Sequence, residues 1–312
     1  MRIVVVYGSH KAQAWRDALA AQLRDAQVDI WQPGFTEPAE YAVGWTPPPR
    51  FFIDQPKLRA FFSTGAGVEH VLNNPNLPAE LPIIRVEDAG MGEQMADYCR
   101  FEVLRWMQRR DDYAAQQAAG VWRPLPESYR EDWPVGIFGL GVLGRQVAKA
   151  FAADGFPVNA FSRSSTAGEP NVRLFSEANG AHQFEAFMRA TRTLMILAPL
   201  TPATQDKFDR ETLQLLPRGA YVINVARGGL IVDEALLELL DNGHLNGAAL
   251  DVFRQEPLPP QHRYWTHPKV HMTPHIAAVT PMGPAVKQIA EKLRQYAANQ
   301  PVTGLVDRAR GY

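Results

Sequence analysis

Residues 135–155 read "VGIFGLGVLGRQVAKAFAADG", and this stretch restricts the fold more tightly than any other in the chain. A short apolar strand runs into Gly139, Gly141 and Gly144 at G-x-G-x-x-G spacing, and Val147, Ala148 and Phe151 continue one helical face behind them. Gly155 then closes the helix before the next strand-like run, "PVNAF". A strand, turn, helix and strand in this order call for a parallel sheet with a helix packed on its face. The glycines allow a tight turn and let the backbone approach a pyrophosphate seated on the helix N-terminus, where Val142 and Leu143 are further candidate contacts. A glycine-rich turn without a ligand would share the spacing alone. The complete strand–loop–helix–strand context favours a dinucleotide.

At 312 residues the chain is long enough for two domains, since a single core rarely grows past ~250–300 residues. Its first hundred residues alternate apolar runs ("RIVVVYG", "VDIW", "YAVGW", "LRAFFSTG", "PIIRV") with helical ones, as a parallel sheet covered on both faces requires. From Met95 to about Gly120 the pattern predicts one long helix. Its apolar face would carry Phe101, Leu104, Trp106 and Met107, and its length suggests that it joins two lobes. The proline-punctuated arm "VWRPLPESYREDW" follows with two tryptophans, suited either to a subunit contact or to burial against its own chain. A second alternation runs through "WPVGIFG", "PVNAF", "TLMILA", "AYVINVA", "GAALDVF" and "KVHMT". Within it "DEALLELLDNGHLNG" reads as a helix closed by Gly247. Finally "PAVKQIAEKLRQYAANQ" places Val286, Ile289, Leu293 and Tyr296 on one face, so this tail is expected to return and cover the first lobe.

Charge and cysteine usage exclude several classes. The 32 Lys and Arg nearly cancel the 33 Asp and Glu, so no basic field points to nucleic acid or to an anionic membrane. A single cysteine, Cys99, leaves no disulfide framework and no multi-cysteine metal site. No apolar run reaches membrane-spanning length, and the opening "MRIVVVYGSH" is too short for a signal-peptide core, so a reducing cytoplasm is the expected location. His267, His271 and His275 are evenly spaced, but Pro268 and Pro274 interrupt them and no metal is expected.

Where an NAD-binding unit usually carries an acid, about 20 residues past the glycines, this chain has Ser162 and Arg163, followed by Ser164 and Ser165. A carboxylate would repel a 2′-phosphate, whereas Arg163 can pair with it through a planar fork. A solvated surface arginine is the alternative. The expected cofactor is therefore NADPH, with NADH less favoured.

Three chemically useful residues stand just beyond strand-like runs: Arg227 after "AYVINVA", Glu256 after "GAALDVF" and His275 after "KVHMT". In a doubly wound sheet ligands bind at those carboxyl ends. A histidine there can protonate a forming alkoxide, a carboxylate can hold the imidazole, and an arginine can polarise a carbonyl and grip a neighbouring carboxylate.

Together "GLGVLG", "NVARGGLIVDEALLELL", "LDVFRQEPLP" and "TPHIA" resemble the D-isomer-specific 2-hydroxyacid dehydrogenases, nearly end to end. "GAGVEH", "MGEQMADY", "YREDW" and "VDRARGY" resemble a bacterial branch of that family acting on glyoxylate and hydroxypyruvate. The resemblance implies an α/β chain of two doubly wound parallel-sheet domains. A flavodoxin-like, discontinuous substrate domain would take residues 1–98 and 283–312, and a Rossmann cofactor domain 99–282. It assigns Arg227, Glu256 and His275 to catalysis, with Arg227 and His275 also touching substrate. Asp251 would hold the nicotinamide carboxamide, and Pro199 and Thr204 of "APLTPAT", with Ala226, would lie along the cofactor. The substrate carboxylate would meet backbone N–H groups of Ala66 and Gly67 in "STGAGVEH", a segment that an ordinary turn after a strand would also explain. Glu69-His70 departs there from the commoner Asp-Asn. Trp45 would either cap the pocket or fill a core. The implied activity is NADPH-dependent reduction of small 2-oxo acids by a homodimer. A dinucleotide-sensing regulator of the same fold is the competing reading, against which the complete Arg–Glu–His set weighs.

Overall fold

The computed structural model describes residues 1–7, 11–163 and 168–311, and within it every ladder between strands is parallel. Two compact units result. The first joins Met1–Gly90 to Thr280–Tyr312, and the second is the continuous segment Met91–Val279.

The first unit carries β1 (Arg2–Val6), β2 (Gln27–Ile30), β3 (Tyr41–Gly44), β4 (Ala60–Ser63) and β5 (Ile83–Arg85) in the order β2-β1-β3-β4-β5. That is the flavodoxin-like order. Every residue of β3 and β4 is buried, as expected of inner strands covered on both faces. The helices Lys11–Gln22 and Met282–Ala297 pack together. The second of these buries Val286, Ile289 and Leu293 and sets the Tyr296 ring edge-on to Tyr41.

In the second unit β6 (Val135–Phe138), β7 (Val158–Ser162), β8 (Val172–Ser176), β9 (Thr193–Ile196), β10 (Ala220–Asn224), β11 (Leu245–Leu250) and β12 (Val270–Met272) run in the order β12-β11-β10-β9-β6-β7-β8. This is the Rossmann order extended by one strand. One face is packed by Phe138, Phe187, Leu194 and Leu236, the other by Cys99, Val103, Val147 and Phe151.

Several expectations shift. The long helix is two helices, Met91–Met107 and Arg110–Ala118, divided at Arg109 with φ +55°. Both belong to the second unit. Met91–Met107 buries Met95, Cys99, Val103, Trp106 and Met107 against the helix Val142–Ala153 within the second unit, while Phe101 is 63% exposed. The unit therefore begins at Met91, ahead of the cut drawn at 98/99, and ends at Val279 rather than 282. Gly247 is not a helix stop. The helix ends at Asp241, Gly243 takes the left-handed turn at φ +72°, and Gly247 lies inside β11, where Tyr221 and Trp106 crowd its Cα. The arm's two tryptophans part company. Trp133 is buried with its indole N–H donating to Thr193 at 2.9 Å, and Trp122 is 99% exposed.

The returning helix is tied down by a buried charge. The Lys292 ammonium donates to the Arg85 carbonyl at 2.8 Å and to Glu87 Oε2 at 3.1 Å, just past β5. Burial pushes the Lys292 pKa down. For Glu87 burial works upward, but hydrogen bonds from Thr303 and Lys292 outweigh it and hold the carboxyl below its ordinary range. A depressed carboxyl stabilises the fold above the unfolded-state pKa, and that contribution is lost as pH falls through the folded value. Lys292→Met should lower the urea stability of the first unit by roughly 2 kcal/mol, less than a fully buried pair would lose because Glu87 keeps some water. It should also flatten the acid dependence of stability below the ordinary glutamate pKa of 4.5. Unchanged urea midpoints across that acid range would contradict this account.

Candidate active site

The phosphate loop is shaped by contacts that only glycine tolerates. Gly139, at the exit of β6, has φ +107°, and a Cβ there would sit 2.6 Å from the Ala198 nitrogen. A Cβ on Gly144 would fall 1.9 Å from the Gly139 carbonyl oxygen, so helix and turn meet backbone to backbone. Gly141 is different. It caps the helix Val142–Ala153, is exposed, and has nothing within 4 Å of where its Cβ would stand. The first helical turn carries no acidic residue, so the N–H groups of Val142 and Leu143 and the positive end of the helix dipole face that open space. Room for a group too close for any side chain, beside orphan donors, fits a dinucleotide pyrophosphate.

β7 ends at Ser162, and exposed Arg163 follows. Ser164 lies outside the described residues. The nearby carboxylate of Glu169 is committed elsewhere. Arg145 at 2.9 Å, with Lys149 at 3.3 Å, holds its carboxyl below the usual range. After β9, the neighbour of β6 at the point where strand order reverses, Thr204 Oγ1 donates to the Pro199 carbonyl at 2.7 Å and accepts from the Thr201 N–H at 2.8 Å. Ala226, past β10, is buried with its N–H on Asn224 Oδ1 at 3.1 Å.

The three strand-end residues stand at the exits of β10, β11 and β12. Asn224 Nδ2 donates to the Arg227 carbonyl at 2.9 Å, and the Arg227 guanidinium donates to the Ala226 carbonyl at 2.6 Å. Glu256 Oε2 lies 2.8 Å from His275 Nδ1, while Oε1 accepts from the Phe253 N–H at 2.9 Å. With Nδ1 on a carboxylate, Nε2 is the nitrogen His275 presents to other groups. The two other histidines go to separate partners, His267 to Asp241 and His271 to Glu102 and Asp111.

Asp251 is 1% exposed, and its own chain engages both carboxylate oxygens. Oδ1 accepts from the Thr273 hydroxyl at 2.6 Å and the Ile276 N–H at 2.8 Å, and Oδ2 accepts from the Ala277 N–H at 2.8 Å. Sequence reading did not single out Thr273 or Tyr98, whose hydroxyl lies 2.7 Å from Thr273 Oγ1. The only local signal is a threonine two residues before the histidine in "TPHIA".

In the first unit, the loop after β4 leaves Ala66 and Gly67 half-buried, with Arg85 donating to the Ala66 carbonyl at 3.2 Å. No acceptor among the described residues meets their N–H groups. Trp45 is not a core residue. At 36% exposure its ring lies across Gly65, where a Cβ would come within 2.1 Å of it, and 3.7 Å from the His70 ring. Among the described residues no helix is long and apolar enough to cross a membrane.

The family described as "D-isomer specific 2-hydroxyacid dehydrogenase, NAD binding domain" matches residues 101–277. A protein of Salmonella newport (strain SL254) named glyoxylate/hydroxypyruvate reductase A is 44% identical over 317 aligned residues, covering 100% of both chains. Among solved structures, a D-isomer specific 2-hydroxyacid dehydrogenase from Xanthobacter autotrophicus Py2 in complex with NADPH and MES aligns with a TM-score of 0.93 at 34% identity, over 100% of this chain and 99% of that one. An NADPH-dependent glyoxylate/hydroxypyruvate reductase from Sinorhizobium meliloti, in complex with NADP and sulfate, gives 0.91 at 33% identity over the same shares. With the Rossmann sheet, the glycine loop and the strand-end Arg–Glu–His set, these matches show that the chain belongs to the D-isomer-specific 2-hydroxyacid dehydrogenases, a family of NAD(P)-dependent oxidoreductases.

Proposed function

We propose that this enzyme reduces small 2-oxo acids with NADPH, glyoxylate to glycolate and hydroxypyruvate to D-glycerate. The observation that carries the reading is the 2.8 Å contact between Glu256 and His275 Nδ1, beside a strand end that presents Arg227. When bound, NADPH supplies hydride to the substrate carbon. The chain supplies the rest. His275 holds a proton at Nε2 and gives it to the carbonyl oxygen, and Glu256 fixes the ring so that this nitrogen faces the substrate. Arg227 pairs with the substrate carboxylate and polarises the adjoining carbonyl. In the first unit, the N–H groups of Ala66 and Gly67 are suited to hold a carboxylate, and Trp45 walls that loop against larger acids.

For the cofactor, Gly139, Gly141, Val142, Leu143 and Gly144 take the pyrophosphate, while Ser162, Arg163 and Ser164 take the 2′-phosphate. The turn holding Pro199 and Thr204, Ala226, and the backbone tied down by Asp251 flank the rest of the dinucleotide. A pure dinucleotide sensor would have no use for the complete proton-donor pair. We place the enzyme in the reducing cytoplasm, in keeping with one buried free cysteine. We also propose a homodimer, because fully exposed Trp122 and the exposed Val121, Tyr129 and Phe101 form apolar surface that a monomer leaves in water.

Three outcomes test this reading. His275→Asn should lower kcat for glyoxylate by about 10²–10⁴-fold while NADPH binding, followed by fluorescence, stays within about twofold; lost binding would make His275 structural. Arg163→Ala should raise the KM for NADPH roughly tenfold and leave that for NADH nearly unchanged, whereas equal effects on both would remove Arg163 from the 2′-phosphate. Trp122→Glu should move the sedimentation coefficient from dimer to monomer, and a parent protein that sediments as a monomer would refute the dimer.

A further inference from the structure

Behind His275 stands a line of polar groups of which only Asp251 has a part in the reading set out above. Tyr98, on the helix Met91–Met107, brings its hydroxyl to 2.7 Å from Thr273 Oγ1. Thr273 leads out of β12 and lies 2.6 Å from Asp251 Oδ1. Asp251, just past β11, bonds three consecutive residues. Its main-chain carbonyl accepts from the His275 N–H at 2.8 Å, and its carboxylate accepts from Ile276 and Ala277, each at 2.8 Å.

The direction of the line follows from donor capacity. A carboxylate oxygen only accepts, so the single Thr273 proton goes to Asp251 and the Tyr98 hydroxyl must donate to Thr273. Burial pushes the Tyr98 pKa well up, so this proton stays in place across the physiological range.

The backbone beyond Thr273 needs holding. His275 has φ +56°, a left-handed conformation that is unfavourable for a residue with a Cβ and persists only where its surroundings fix it. Glu256 reaches the ring of His275, whose main-chain N–H is shared between the Asp251 carbonyl at 2.8 Å and the Thr273 carbonyl at 3.1 Å, and the Asp251 carboxylate holds the two residues after it. Turning that main chain toward the ordinary right-handed region would swing the imidazole off Glu256.

We propose that Tyr98 and Thr273 are positioning residues which, through Asp251, lock the His275 main chain and so keep its imidazole on Glu256. The inference rests on the reading of His275 as proton donor. It extends the catalytic apparatus to a residue 177 positions away in the chain (98 to 275).

The test uses Tyr98→Phe, Thr273→Val and Thr273→Ser in the full-length chain, assayed well below each variant's Tm. Tyr98→Phe should lower kcat for glyoxylate about fivefold and Thr273→Val about fiftyfold. Thr273→Ser, which restores the hydroxyl, should recover kcat to within about threefold, and the KM for NADPH should change less than twofold in all three. The His275 Cε1–H NMR line, identified by its absence in His275→Gln, should move or broaden in Tyr98→Phe and Thr273→Val and return in Thr273→Ser. A kcat unchanged in Tyr98→Phe and Thr273→Val overturns the proposal, whatever happens to Tm. If Thr273→Val does not fold, Tyr98→Phe, which removes one oxygen, decides alone. A parent protein that reduces neither glyoxylate nor hydroxypyruvate would refute the functional reading instead, and the NMR comparison would still decide the positioning role, an unmoved line overturning it.

Discussion

Parallel pairing is the constraint on which the rest of this structure depends. Two parallel strands cannot be joined by a tight turn, so each connection crosses the sheet face and every strand delivers its carboxyl end to the same edge. In the second unit that edge collects candidate site residues from every strand but β8. β6 gives the glycine turn, β7 Arg163, β9 the turn through Pro199 and Thr204, β10 Arg227, β11 Asp251 and Glu256, and β12 His275. The residues are far apart in sequence and come to one edge of the sheet because parallel pairing turns every strand's carboxyl end to that side.

At two places a buried charge fastens one segment to another. Lys292 fastens the last helix to the exit of β5, and Asp251 fastens the exit of β11 to the loop after β12. Lys292 is satisfied by one backbone carbonyl and the Glu87 carboxylate, Asp251 by a threonine hydroxyl and two backbone N–H groups. The cost of removing such a residue falls on the segment it holds. That links a packing feature directly to the geometry of the site.

Much of this was legible in the sequence because it is written in local patterns. Strand "VGIF" is buried along its whole length and "RIVVV" from Ile3 onward, and the helix Val142–Ala153 shows its inner face at Val147, Ala148 and Phe151. Strand-end polar residues mark the functional edge, so Arg227, Glu256 and His275 could be singled out before any geometry. Strand β8, "VRLFS", escaped notice because it is an edge strand with an exposed Arg173. The division at Arg109 was hidden because its neighbours all favour helix, and Gly247 was misplaced because Gly243 ends the helix earlier. Phe101 looked like part of an apolar face, yet it points outward. No local pattern could reveal the Tyr98–Thr273–Asp251 line, since only the fold brings those three side chains together.

The first unit is interrupted by the whole of the second, and this affects how the chain acquires its shape. The strands β1 to β5 are made before the second unit, but the helix Met282–Ala297 that packs on Lys11–Gln22, and the Leu305 backbone that pairs with Ile84, are made after it. The continuous segment Met91–Val279 contains its own sheet and both of its covering layers, so it can fold while synthesis continues. The earlier strands must wait, with apolar surface exposed, until a loop of nearly the full chain length closes. In this protein the first unit's strands are made before the second unit and find their covering helix only after it.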